Sequence, residues 1–176
     1  MKVLAFIGQH SKDDISARLG WGIVRLAQVG ATYRRVTHVE SHLGGPWYDC
    51  TIGSSTLRKN ADGKTGVRTL SGVRLNPAHW MVIEVPTWDV KHTTAWHARH
   101  DGAAYSWSGS VATIVWFLPH DPVRKNCVSA VGEPHGVVDV HRMTTAAFMA
   151  LCMSLPGSRD VTAEFFATPE PKDPMR

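Results

Sequence analysis

The sequence predicts an α+β fold. Three observations carry this reading. Short apolar runs closed by Gly or Pro read as strands, and two longer segments place apolar residues at helical spacing. Strands and helices also mix without regular βαβ alternation. At 176 residues the chain fits one domain of the usual ~100–200 residues. A globule of that size buries roughly 70% of the surface its unfolded chain exposes. Residues 1–167 read as the domain, and 168–176 as a Pro-rich, mobile tail.

Val3 to Ile7 is a short apolar run suited to a buried strand. Ser11 to Asp14 resembles a capping box, and Ile15, Leu19, Ile23 and Leu26 follow at helical spacing up to Gly30. Arg34 to Leu43 alternates and stops at Gly44-Gly45-Pro46, which reads as a strand, with Trp47 to Ile52 as its partner. Gly53 to Gly72 is rich in Ser, Thr, Gly and Lys and reads as loop with a short strand near Val67. Trp80 to Val85 is a strand closed by Pro86, and Trp88 to His100 a helix broken by Asp101-Gly102. Val111 to Leu118 reads as helix in preference to strand. Cys127 to Val131 is a short apolar stretch after a polar loop. A helix begins around Thr144, with Phe148, Leu151, Cys152 and Leu155 on one face and Pro156-Gly157 at its end. The tail from Pro169 (Pro-Glu-Pro-Lys-Asp-Pro) cannot build regular structure.

Charge and composition remove several function classes. The net charge is +4, with ten histidines besides, and no block of like charges. A nucleic-acid binder more often clusters Lys and Arg on one element. No apolar run approaches the ~20 residues of a membrane span. The first eight residues lack the apolar stretch of ~7–15 residues that a signal peptide uses. Synthesis in the cytosol, with reduced thiols, is therefore expected. Three cysteines is an odd number and none lies in a C-x-x-C pair, which argues against a disulfide framework and structural zinc.

The three thiols differ. Cys152 sits on the apolar face of its helix, where a free Cys acts as a small hydrophobe. Cys50 reads as a buried or half-buried strand residue. Cys127 follows Arg124, Lys125 and Asn126 and opens Cys-Val-Ser-Ala-Val. If that segment is helical, the dipole and nearby cations favour thiolate over thiol. A backbone N–H at that turn would face a developing oxyanion.

A nucleophilic Cys needs a base and a group orienting it. His38 and Glu40 stand at i and i+2 in a strand, so both leave one face. That pattern places a carboxylate beside an imidazole. With His42 on the same face it equally suits a metal, or simply a polar, solvent-facing strand side. His97 and His100, three apart on a helix, read as solvated. His135 and His141 have no readable role.

Taken in order, Thr37-His38-Val39-Glu40, Ser54-Ser55-Thr56, Gly66-Val67-Arg68, Trp80, Tyr105-Ser106-Trp107-Ser108-Gly109 and Asn126-Cys127-Val128-Ser129 resemble the circularly permuted branch of NlpC-type, papain-like cysteine hydrolases of phages and bacteria. The resemblance covers about residues 1–165. It implies a papain-like core, an antiparallel β-sheet or small barrel packed against helices, with the catalytic His ahead of the catalytic Cys. By position Cys127 would be the nucleophile, His38 the general base and then acid, and Glu40 the group orienting His38. Asp49 is the other candidate for that third role. Tyr105 would line the site near the oxyanion, and Ser54 and Ser55 would lie close to substrate. Thr37 stands where the family usually has Ser, Ser106 where an acidic residue is frequent, and Val-Ser follows Cys127 in place of Ser-Glu.

The implied activity is amide hydrolysis through a thioester, with no metal or organic cofactor. The implied substrate is a peptide-like amide such as a peptidoglycan stem peptide. Lipid acyl hydrolysis or acyl transfer on the same fold, an inactive phage structural or binding module, and a metal hydrolase built on His38, Glu40 and His42 are the alternatives. A phage particle or delivery to the cell wall would suit the lack of a signal peptide.

Overall fold

The computed structural model describes residues 1–8, 28–56, 65–106, 121 and 123–171. Among the described residues six strands form one antiparallel sheet: β1 (Lys2–Phe6), β2 (His38–Gly44), β3 (Cys50–Thr56), β4 (Gly66–Val73), β5 (Trp80–Glu84) and β6 (Arg159–Asp160), in the order β4-β3-β2-β1-β5-β6. Four α-helices accompany it among the described residues: α1 (Val90–His100), α2 (Cys127–Gly132), α3 (Thr145–Ser154) and α4 (Thr162–Phe166). None of the described helices is long and apolar enough to cross a membrane.

Alternation along β1 divides the core. Val3 and Ala5 join Val39, Ile83 and Val85 against Val128, Val131, Phe148, Met149 and Cys152. Leu4, between them, turns to the other face and packs with Ile52, Val82, Leu75 and Val161. Both faces of the sheet are thereby covered, and the strands carry apolar side chains in both directions. A third, small cluster of Val67, Trp96 and Ala130 joins β4, α1 and α2.

Several boundaries differ from the sequence expectation. The Arg34–Leu43 strand starts at His38, because residues 31–36 are taken by turns closed by Arg34 N–H to Ala31 O and Val36 N–H to Tyr33 O. Its partner starts at Cys50, after a turn in which Asp49 N–H bonds Pro46 O at 3.0 Å. The described residues of the span 53–72, expected as loop with a short strand near Val67, are mostly strand, since β3 runs on to Thr56 and β4 pairs with it from Gly66 to Val73. The helix expected from Trp88 starts at Val90, where the Asp89 carboxylate accepts from Lys91 N–H at 2.8 Å. Thr144 caps α3 through Ala147 N–H at 3.1 Å. The helices expected over 15–30 and 111–118 lie outside the described residues, save that residues 28–30 form a turn. At the start of the tail, Thr168 O accepts from Trp47 Nε1 at 2.8 Å, and Glu170 pairs with Arg74.

Candidate active site

His38 opens β2, and Glu40 follows two residues on, so alternation sends both side chains to one face. His38 Nε2 lies 3.1 Å from Glu40 Oε1. In the β2–β3 register Ser41 faces Gly53, which sets Glu40 beside Ser54. Ser54 Oγ donates to the same Glu40 oxygen at 2.7 Å. Glu40 is 7% exposed, so these two contacts fix a side chain that water hardly reaches.

Cys127 is the first residue of α2, and Asn126 is the cap. Asn126 Oδ1 accepts from Ser129 N–H at 2.8 Å, and Nδ2 donates to His141 O at 3.2 Å. The cap takes the N–H of Ser129, not that of Cys127. The Cys127 thiol reaches His38. Nε2 of the ring is the nitrogen engaged by Glu40. Burial alone would depress the His38 pKa. The charge and hydrogen bond of Cys127, then those of Glu40, more than offset it and push the imidazole up to about 10. An imidazole so placed holds its proton between a sulfur and a carboxylate.

The segment ahead of Cys127 is anchored at Lys125. Its carbonyl accepts from Ser55 Oγ at 2.8 Å and from Ser106 N–H at 3.0 Å. Its N–H bonds Ala104 O at 3.1 Å, and Tyr105 forms a parallel bridge with it. The ammonium pairs with Glu133 at 2.8 Å and lies 6.0 Å from the Trp96 ring centroid. Residues 102–106 are in turn tied to β4. Val67 N–H bonds Ala103 O and Gly102 N–H bonds Val67 O. Gly66, at φ +103°, allows this approach, because a side chain there would collide with the Ala103 carbonyl.

The structure therefore brings Cys127, His38, Glu40 and Ser54 together, with Ser55 and Tyr105 around Lys125. The resemblance sets Ser54 and Ser55 close to substrate, whereas here both are buried and their hydroxyls are spent on Glu40 and Lys125. Asp49 precedes β3 at the Gly44 end of β2. The strand rise puts it roughly 20 Å from His38, so Glu40 is the carboxylate at the imidazole. His42 turns from the pair to Gly45 O at 2.9 Å and packs edge-on against Phe165. Among the described residues no group of three or more His, Cys, Asp or Glu is arranged to hold a metal ion.

The helical histidines are not solvated as expected. His97 is fully buried, and His100 stacks on Trp96 at 4.1 Å because the α1 face they share packs on the sheet. His135 stacks on Trp88 at 4.4 Å and meets Thr93 Oγ1 at 2.9 Å. Burial raises the thiol pKa of Cys50 to about 11 and that of Cys152 to about 12, leaving both unreactive near neutrality. Two positioning residues escaped the sequence reading. Asn126 was detectable as a cap residue before an apolar run, whereas nothing local marked Lys125 as an anchor. Compared with models of known protein families, with curated proteins and with solved structures, the chain matches none.

Proposed function

We propose that the protein is a cysteine hydrolase of the amidase or peptidase type. The observation that carries this reading is His38 set between the Cys127 side chain and Glu40 Oε1, the latter at 3.1 Å, with both neighbours raising its pKa. The ordered resemblance to permuted NlpC-type hydrolases supports it independently.

In the reaction, the Cys127 thiolate attacks the carbonyl carbon of a peptide-like amide. The Cys127 N–H donates to the oxyanion. Collapse of the tetrahedral adduct breaks the C–N bond as His38 protonates the departing amine, which leaves a thioester. His38, now neutral, takes a proton from water as the oxygen attacks the thioester. The acid product leaves, and thiolate and imidazolium are restored. Positioned proton transfer of this kind contributes typically ~10²–10⁴ in rate. Glu40 holds the ring and stabilises its charged form. Cell-wall stem peptides are the substrate case that the resemblance names.

The test is the rate of iodoacetamide alkylation at Cys127 against pH, followed by mass spectrometry, in wild type and His38→Ala. A free thiol has a pKa of about 8.5 and reacts slowly at pH 6. Retained reactivity at pH 6 that His38→Ala abolishes is the expected result. An ordinary thiol profile, unchanged by His38→Ala, overturns the hydrolase reading and leaves a binding module on the same fold.

A further inference from the structure

Among the buried titratable side chains outside the proposed chemistry, one touches the strand that carries the site. His97 on α1 is fully buried, and neither ring nitrogen has a hydrogen-bond partner among the described residues. Its ring rests on Gly53, and a Cβ at that position would overlap the imidazole at Nε2, Cδ2 and Cε1. Gly53 has no positive φ to explain its choice. The absence of a side chain is what the contact requires.

The placement matters because the next two residues of β3 both reach the candidate site. Ser54 bonds the carboxylate that holds His38, and Ser55 bonds the Lys125 carbonyl two residues ahead of Cys127. Three consecutive residues of β3 thus meet α1, the base side of the site and the nucleophile side. A shift of β3 toward or away from α1 would move both serine contacts at once. We propose that His97 is a positioning residue: seated in the notch at Gly53, it sets the height of β3 so that Ser54 and Ser55 align His38–Glu40 with Cys127. This rests on the hydrolase reading for its catalytic meaning, but the alignment itself has its own readout.

The ring works in its neutral form. Burial is the main cause that takes its pKa down to about 4; the Ala130 carbonyl opposes it most, His100 adds to it, and Glu40 and Asp101 oppose it less. The Ala130 carbonyl is near without forming a full hydrogen bond. Trp96 meets the ring edge-on at 5.2 Å.

The experiment compares wild type, His97→Ala, His97→Gln, Gly53→Ala and Gly53→Ala with His97→Ala. Two quantities are read on folded protein: the His38 titration by NMR and the pH profile of Cys127 alkylation. Emptying the notch (His97→Ala) or filling it (Gly53→Ala) is expected to lower the His38 pKa toward its ordinary value. Alkylation at pH 6 should fall on the order of tenfold, within the up to ~10² cost of a misplacement of about 1 Å. His97→Gln and the double variant, which restore bulk at the notch, should recover most of both. If Gly53→Ala does not fold, His97→Ala against His97→Gln decides. A His38 titration unchanged in folded His97→Ala overturns the proposal. Wild-type alkylation that His38→Ala leaves unchanged overturns the hydrolase reading instead, and the NMR titration still judges the role of His97.

Discussion

His38 is held against the tendency of its own surroundings. Burial disfavours the imidazolium, so its high pKa comes from the neighbours that offset burial, Cys127 first and Glu40 second. Removing them should reveal that order. Cys127→Ala is expected to bring the His38 pKa down further than Glu40→Gln does, as followed by the imidazole carbon shift in an NMR titration. An effect of Glu40→Gln larger than that of Cys127→Ala would reassign the dominant partner. Ser54 contributes on a different axis. Its hydroxyl donates to a buried carboxylate, and such charged hydrogen bonds contribute about 1.5–3 kcal/mol. Ser54→Ala should lower stability by that order in urea unfolding. Ser71→Ala, whose exposed hydroxyl meets Thr51 at 3.3 Å, should change little.

At the scale of elements, α2 is six residues long and depends on its ends. Isolated helices that short do not persist in water; α2 is held by packing and by Asn126. Losing a cap costs about 0.5–2 kcal/mol. Asn126→Ala is expected near the upper end because it also drops the bond to His141 O. Asn126→Asp keeps the acceptor for Ser129 N–H, loses the donor, and should fall between Ala and wild type in thermal unfolding. The sequence made some of these elements legible and hid others. β1 and β5 are short apolar runs, and α3 carries its Thr144 cap and its apolar face in one continuous segment. The end of β3 and most of β4 beyond a short strand near Val67 looked like loop, since Gly53-Ser54-Ser55 and Arg68-Thr69 lack apolar alternation. They are strands because each is paired, and in β3 the buried hydroxyls of Ser54 and Ser55 find partners in Glu40 and the Lys125 carbonyl. His38 and Glu40 could be set side by side from the period of a strand alone. Ser55 and Lys125 stand 70 residues apart, and only the fold brings them together.

Across the whole molecule, buried histidines shape how stability follows pH, His97, His135 and His38 with the largest shifts and His42 lowered by burial as well. His97 and His135 are both pushed down to about 4, chiefly by burial. The unfolded chain protonates them near their ordinary 6.5. Their contribution is therefore intact above 6.5 and lost as pH falls from 6.5 to about 4. His38 runs the other way: its contribution is full below 6.5 and lost as pH rises toward about 10. The urea midpoint should fall between pH 6.5 and 4, and His97→Gln should flatten that limb. A midpoint constant over this range would show that the two rings protonate freely in the folded state. The tie between Val67 and residues 102–103 has one more consequence. Among the described residues β4 is the last strand on its side of the sheet, and an open strand edge is a template on which a second chain can pair. The loop takes up the outward N–H and C=O of Val67 at the head of that edge. Gly66→Ala, which would drive the loop off, should therefore show itself first as concentration-dependent association in light scattering, before any loss of helix or strand signal.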